Sequence, residues 1–228
     1  MATIADKLQL VRARINQACS SVGRRSDSVR LLAVSKTFPA VTVREAFHAG
    51  QRSFGENYVQ EALDKIAELS DLRSQIEWHL IGPLQSNKTR VVAENVDWVQ
   101  SIDRVKIAQR LSEQRPAHLP PLQVCIQVNT SGEASKSGVA PGEAFELARE
   151  VAALPRLKLR GVMGLPAPSE DPQMQRQALR EVRRIYEDLI SRGIPLDTLS
   201  MGMSHDLEAA VAEGSSMLRV GTALFGQR

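Results

Sequence analysis

A lysine closes a short apolar run near the start of the chain. Residues 31–34 are Leu-Leu-Ala-Val, Ser35 and Lys36 follow, and Phe38-Pro39 then interrupts any strand. A continuous apolar run that ends in a strand breaker is typical of a parallel strand buried on both faces. An amine at the carboxyl end of such a strand loses hydration, which favours the nucleophilic neutral form that a Schiff-base lysine requires. The alternative is that Lys36 only ends a strand and extends into water.

Two segments near the carboxyl terminus could bind a phosphate group. Each follows a predicted strand and combines glycine with hydroxyl side chains, so that backbone and hydroxyl donors can approach an anion. A helix predicted to start just after Ser204 would turn its amides toward the same anion. Ser204-His205-Asp206 is also typical of a plain helix cap. The candidate residues are Ser200, Gly202, Ser204, Gly221 and Thr222.

A regular alternation of elements would bring these residues together. An amphipathic helix is predicted from Ile4 to Val22, with Thr3 and Asp6 as its cap and Gly23 as its stop. Eight strand–helix units follow, and eight sequential units close into a barrel rather than an open sheet. We therefore predict an α/β fold, a single (β/α)8 TIM barrel over residues 1–228 with an extra N-terminal helix. The predicted strands are 31–34, 53–57, 76–81, 96–102, 122–128, 159–165, 196–201 and 217–220.

Composition narrows the class of protein. A hydrophobic fraction of 43% and a charged fraction of 24% are typical of a globular domain, and the net charge of +3 gives no nucleic-acid footprint. No stretch approaches the ~20 apolar residues of a membrane span, and the amino terminus is not a signal peptide. We therefore expect a cytoplasmic protein that binds neither membrane nor nucleic acid. The two cysteines and four histidines match no metal-binding spacing, so no metal site is predicted.

Closure of the barrel would place strand eight beside strand one, and Arg219 beside Lys36. A lysine amine, a phosphate cradle and an arginine together favour one ligand, pyridoxal 5′-phosphate. Its aldehyde would form an aldimine with Lys36, and Arg219 would face the pyridine nitrogen. An arginine can only donate to that nitrogen, which weakens the ring as an electron sink.

Seven segments resemble a known family in the right order across nearly the whole chain. They are VSKT (34–37), FGENYVQE (54–61), WHLIGPLQSNK (78–88), SID (101–103), SKSG (135–138), LSMGMS (199–204) and RVGTALFG (219–226). The family is the pyridoxal phosphate homeostasis proteins, which are similar in fold to the amino-terminal barrel of alanine racemase. The resemblance implies that Lys36 carries the cofactor and Arg219 faces its ring nitrogen. It implies further that the phosphate is held by Ser200, Ser204, Gly221 and Thr222, with Asn57 and His79 near the ring.

Four positions qualify this resemblance. Asn57 is equally typical of a turn, and a lone His79 inside an apolar strand is typical of a core histidine. His205 stands where an acidic residue is expected, and Phe38 where a lysine is frequent. Either departure could alter the affinity for the cofactor.

Two functions are the main hypotheses, a carrier of the cofactor and an enzyme that uses it. A racemase needs a base on each face of the cofactor, and the available tyrosines are Tyr58, beside Asn57, and Tyr186, on a predicted outer helix. The chain also ends soon after the barrel. We therefore expect a monomeric protein that buffers or delivers the cofactor in intracellular homeostasis, without robust catalysis. Apo enzymes that depend on the cofactor would be transient partners. An amino-acid racemase is the alternative, and a lysine-dependent aldolase a third possibility.

A polar loop of small residues, 131–138, is predicted to be a lid over the top of the barrel. Lys136 lies in this loop, and we hypothesise that its amine exchanges the cofactor with Lys36.

Overall fold

Eight parallel strands form a closed barrel in a computed structural model that describes residues 2–132, 137–167 and 169–226. Each strand pairs with its neighbours in sequence, and β1 pairs with β8, where Leu32 lies opposite Arg219. The predicted (β/α)8 architecture is therefore confirmed. The strands are β1 Arg30–Val34, β2 Ser53–Glu56, β3 Glu77–Leu80, β4 Trp98–Ile102, β5 Leu122–Val128, β6 Leu157–Gly164, β7 Thr198–Ser200 and β8 Met217–Val220.

Helices cover the outside of the barrel. Helices α2 to α8 each connect one strand to the next, because two parallel strands need a crossover between them, whereas α1 precedes β1 and α9 follows β8. The helices are α1 Ile4–Ser21, α2 Ala40–His48, α3 Val59–Glu68, α4 Thr89–Asn95, α5 Val105–Gln114, α6 Ala144–Ala152, α7 Pro172–Ser191, α8 Leu207–Ala212 and α9 Thr222–Phe225. In the described ranges, none of them combines the length and hydropathy that crossing a membrane would take.

The N-terminal helix α1 begins and ends where the sequence predicts. Thr3 Oγ1 accepts from the backbone N–H of Asp6 at 3.1 Å, and Asp6 Oδ2 accepts from the backbone N–H of Thr3 at 2.8 Å. Gly23, just beyond the helix, takes a φ of +67°, which favours glycine. The apolar stripe of α1 packs against α2, α8 and α9. Helix α1 therefore supports the two segments that contain the predicted phosphate site.

The barrel interior is filled by side chains from alternate positions of each strand. On β3, Trp78 and Leu80 pack outward in the core beneath the helices, whereas Glu77 and His79 point inward. A separate apolar cluster of Leu32, Trp98, Cys125, Met163 and Met217 fills the middle of the barrel. Inward-facing polar side chains are buried beside this cluster, and several belong to the predicted site.

Candidate functional site

A cavity of about 490 Å³ opens at the carboxyl end of the barrel. The ends of β1, β2, β3, β6, β7 and β8 contribute to its wall, which agrees with the usual position of sites in such barrels. Six predicted residues line it, namely Lys36, Asn57, Ser204, Arg219, Gly221 and Thr222. Of the other three, Ser200 and His79 lie beneath it in the barrel interior, and Gly202 is buried in the segment after β7.

Lys36 is half-buried and follows β1 in a tight turn. Ser35, on one side of it, is fully buried, and its hydroxyl donates to Glu56 Oε1 at 2.6 Å. Thr37, on the other side, has a φ of +68° and donates its backbone N–H to the Glu61 carboxylate. A positive φ is uncommon for a β-branched residue and persists only when its surroundings impose it. The contacts on both flanks therefore hold the lysine in place.

The ammonium of Lys65 connects the Ser35–Glu56 contact with the Thr37–Glu61 contact. It donates to Glu56 Oε1 and the Ser35 carbonyl at 2.7 Å each, and to Glu61 at 2.8 Å. Glu56 is fully buried at the end of β2, and burial raises the pKa of its carboxyl although Lys65 opposes the change. Ser35, Glu56, Glu61 and Lys65 are here called the Lys36 support. This group was not predicted from the sequence, although Glu61 and Lys65 have the four-residue spacing of a helical ion pair.

Asn57 reaches the cavity wall through a close contact between two loops. A Cβ atom added at Gly82 would lie 2.1 Å from the carbonyl oxygen of Asn57, so only glycine fits there. The Ser101 hydroxyl donates to the Gly82 carbonyl at 2.6 Å and holds that loop from the side of β4. The asparagine is therefore placed by tertiary contact as well as by its turn.

Arg219 forms the floor of the cavity and is only 4% exposed. Its Nη1 donates to Ser200 Oγ and its Nη2 to the Gly164 carbonyl, both at 2.8 Å. Burial lowers the pKa of the guanidinium to about 10, which leaves it charged at neutral pH. Ser200, which the resemblance places at the phosphate, is fully buried here and contacts Arg219.

His79 is 1% exposed and lies one layer below the cavity. Its ring stacks on Trp98 with centroids 5.0 Å apart, and its two nitrogens contact Glu77 and Gln100. Burial lowers the pKa of the imidazole. His79 is therefore buried and does not line the cavity, and its place near the ring stays a prediction.

The segments after β7 and β8 meet at Ser204. Its hydroxyl accepts from the backbone N–H of Ala223 in α9 at 3.3 Å, and its carbonyl accepts from Arg14 of α1 at 3.3 Å. The helix predicted just after Ser204, from Asp206 to Glu213, spans Leu207–Ala212, and Asp206 occupies its N-cap position without a side-chain hydrogen bond. Helix α9, which starts at Thr222 soon after β8, was not among the predicted elements.

The two departures from the family pattern both lie on the cavity wall. His205 is part of its rim, with 45% of the side chain exposed. Phe38 packs its ring against Phe225 of α9, with centroids 5.3 Å apart. The aromatic pair joins the turn after β1 to the segment after β8, so Phe38 closes the wall between Lys36 and Thr222.

The remaining candidates lie away from the cavity. Tyr58 is 62% exposed, and the hydroxyl of Tyr186 on α7 donates to the Leu196 carbonyl at 3.3 Å. Among the described residues that line the cavity there is no tyrosine. The hypothesis on Lys136 falls outside the described residues, as does half of the predicted lid, residues 133–136. No cluster of three or more histidine, cysteine, aspartate or glutamate side chains suited to a metal occurs in the described part of the chain.

The donor set of the cavity suits a phosphorylated aldehyde. Lys36 supplies an amine, Ser204 and Thr222 supply hydroxyls, and Arg219 supplies a charged donor beneath them. Gly221 lets β8 end close to β1, since a Cβ atom there would lie 3.1 Å from the Val34 carbonyl. These residues fit the pyridoxal 5′-phosphate that the sequence predicts.

Comparison with known proteins agrees with this site. The family model of the alanine racemase N-terminal domain matches residues 7–228. The pyridoxal phosphate homeostasis protein of Pseudomonas aeruginosa is 58% identical over 228 residues, covering 100% of this chain and 97% of that protein. That of Escherichia coli K12 is 53% identical over 229 residues, covering 100% and 98%. The chain therefore belongs to the pyridoxal phosphate homeostasis protein family, which has the alanine racemase N-terminal fold.

A solved structure extends the likeness to the whole barrel. PipY of Synechococcus elongatus, in a structure with pyridoxal phosphate bound, superposes with a TM-score of 0.82 at 38% identity. The match covers 93% of this chain and 100% of that one.

Proposed function

We propose that this protein binds pyridoxal 5′-phosphate on Lys36 and takes part in the homeostasis of that cofactor. The proposal depends on one observation, namely that Lys36, Arg219, Ser204 and Thr222 all line the same cavity. The names of the relatives support the same role. In the proposed reaction the Lys36 amine attacks the aldehyde carbon, and a Schiff base forms with loss of one water molecule.

Each part of the cavity has a task in this proposal. Ser204 and Thr222 donate their hydroxyls to the phosphate, and Gly221 lets the backbone approach it. Arg219 donates to the ring nitrogen and stays charged, because even its lowered pKa of about 10 lies above neutral pH. Asn57 approaches the ring from the side of β2. The Lys36 support holds the amine toward the aldehyde.

A carrier suits this cavity better than a racemase. A racemase needs an acid–base group on each face of the ring, and both tyrosines lie away from the cavity wall. Buffering requires reversible binding, and the cavity is open at the barrel end. We propose that the protein acts in the cytoplasm as a monomer and passes the cofactor to apo enzymes that depend on it.

Borohydride trapping tests the proposal directly. The apoprotein is mixed with pyridoxal 5′-phosphate, reduced with sodium borohydride, digested and analysed by mass spectrometry. We expect a stable pyridoxyl group on Lys36, together with a visible absorption band before reduction. Lys36→Ala should lose both, whereas Lys106→Ala, which removes an exposed lysine on α5, should keep both. Pyridoxyl groups spread over exposed lysines, with Lys36 unmodified, would refute the assignment.

Transfer is tested separately from binding. Loaded protein is mixed with an apo transaminase in the presence of an excess of a phosphatase that destroys free cofactor. Recovery of transaminase activity under these conditions supports delivery. Recovery only when the phosphatase is left out would mean that the protein buffers the free cofactor without delivering it. Racemisation of added L-amino acids by the loaded protein would favour the enzyme alternative.

A further inference from the structure

A line of buried polar side chains runs through the barrel interior, from the cavity floor to the opposite end. Arg219 Nη1 contacts Ser200 Oγ at 2.8 Å, and Ser200 Oγ contacts Gln100 Oε1 at 2.6 Å. Gln100 Nε2 contacts His79 Nδ1 at 2.9 Å, and His79 Nε2 contacts Glu77 Oε1 at 2.8 Å. These five residues are here called the polar chain. Four of them are at most 4% exposed, and Glu77 is half-buried at the far end.

The donors and acceptors of the polar chain determine its direction. A guanidinium has only donors, so Ser200 Oγ accepts from Arg219 and gives its own proton to Gln100 Oε1. The Gln100 amide nitrogen then faces His79, so Nδ1 of the ring is the acceptor. The ring proton must therefore be on Nε2, which donates it to Glu77. Every hydrogen bond points the same way, from guanidinium to carboxylate.

Neighbouring groups support this direction. The second amide proton of Gln100 points to the Met217 sulfur at 3.1 Å, so a flipped amide would lose that contact as well. Although burial opposes the change, the hydrogen bond from His79 and the charge of Arg30 lower the pKa of Glu77 and keep it an acceptor. Aligned hydrogen bonds in a low dielectric polarise and strengthen one another.

We propose that Gln100 is a positioning residue that, through Ser200 and with His79 and Glu77 behind it, fixes the orientation of the Arg219 guanidinium at the cavity floor. The inference rests on the proposed function only where it concerns the ligand above Arg219. A guanidinium is a rigid planar fork, so holding Nη1 on Ser200 and Nη2 on the Gly164 carbonyl fixes its plane. This role accounts for the burial of Ser200 and His79 below the cavity.

Nuclear magnetic resonance on the apoprotein tests the polar chain without any cofactor. The ¹⁵N shifts of the His79 ring should show a proton on Nε2 and none on Nδ1 at neutral pH. The guanidinium protons of Arg219 should be resolved and slow to exchange in the wild type, and averaged in Gln100→Leu. A proton on His79 Nδ1, or an Arg219 signal that is unchanged in Gln100→Leu, would overturn the inference.

Titration with pyridoxal 5′-phosphate tests the consequence for binding. Gln100→Leu should bind about tenfold more weakly, the equivalent of one lost hydrogen bond, and its visible band should shift. Gln100→Glu keeps an acceptor for Ser200 and should restore most of the affinity, while a carboxylate beside Nδ1 should leave the His79 ring doubly protonated. Gln51→Leu is the matched control, because Gln51 is also buried and donates to the Leu31 and Ser53 carbonyls, away from the polar chain.

The outcomes separate the two proposals. Wild-type affinity in a folded Gln100→Leu protein would overturn the positioning role. If that variant fails to fold, Ser200→Ala tests the same link from the other side, and the wild-type resonances still decide the direction. A wild-type protein with the expected resonances and no affinity for the cofactor would refute the proposed function alone.

Discussion

Replacement of Lys65 by methionine tests the Lys36 support most directly. Methionine keeps an apolar stem of similar length but loses the three hydrogen bonds that the ammonium makes to Ser35, Glu56 and Glu61. Removal of one partner from a buried ion pair costs about 3–5 kcal/mol, because the other charge stays buried without compensation. Glu61 keeps 23% of its side chain in solvent, so the lower end of this range applies.

The assay is a double-mutant cycle measured by urea denaturation. Lys65→Met should lower the free energy of unfolding by about 3 kcal/mol, which for a chain of this size is roughly 10 °C in melting temperature. Adding Glu56→Gln removes the uncompensated charge, so the double variant should recover about 1–2 kcal/mol of the loss. Lys106→Met, on the exposed face of α5, is the matched control and should leave stability within about 0.5 kcal/mol.

A second measurement connects this group with the site. Thr37 holds a strained φ of +68° while Glu61 accepts its N–H, so the turn should relax when Lys65 is lost. We expect Lys65→Met to form the Schiff base on Lys36 more slowly, in a stopped-flow experiment well below the melting temperature. Wild-type stability together with a wild-type rate would refute the reasoning that this group holds Lys36.

Three further predictions concern close contacts, thiols and pH. Gly82→Ala should destabilise the fold by about 2–4 kcal/mol and weaken cofactor binding, because its Cβ would lie 2.1 Å from the Asn57 carbonyl. Gly142→Ala is the control in the same denaturation and titration series, because its Cβ would meet no atom within 4 Å. Burial raises the pKa of the Cys125 thiol to about 12, so about one molecule in ten thousand carries the thiolate at pH 8. Cys125 should therefore resist Ellman's reagent in the folded protein and react on unfolding; rapid reaction in the native state would contradict the buried position. Burial would raise the pKa of Glu213, but the hydrogen bonds from two arginines of α7 lower it. The ionised carboxylate therefore stabilises the fold at pH values above the pKa of the unfolded state, and this stabilisation is lost as the pH falls through the pKa of the folded state. The stability difference between wild type and Glu213→Gln should accordingly be larger at pH 7 than at pH 3 in urea denaturation, and an equal difference at both would contradict the ion pairs.

The order of the elements could be read from the chain because each unit carries its own local signal. The apolar run at 31–34, the cap at Thr3 and the stop at Gly23 depend on neighbours within a few residues. The contacts of Ser204, which precedes the helix after β7, are not local. Its carbonyl accepts from Arg14 of α1 and its hydroxyl accepts from the Ala223 N–H of α9, and both partners are distant in sequence.

The candidate site could be predicted in part. Lys36, Arg219, Ser204 and Thr222 all lie on the cavity wall, where the strand order and the family resemblance had placed them. The roles of individual residues stay predictions until the trapping and titration experiments are made. Nothing in the sequence indicated that Glu56 and Lys65 would meet beneath the lysine.

Sequence alone therefore determined the alternation of strands and helices, the closure into a barrel and the residue types at the strand ends. The alternation and the residue types are local properties, because periodicity, glycine and caps act over a few residues. Closure was predicted from the number of strand–helix units. Only the tertiary structure decided which side chains face the cavity and which lie beneath it, as for Ser200 and His79. Their partners, Arg219 and Gln100, come from other strands. Hydrogen bonds between residues that are far apart in sequence exist only once the barrel has closed.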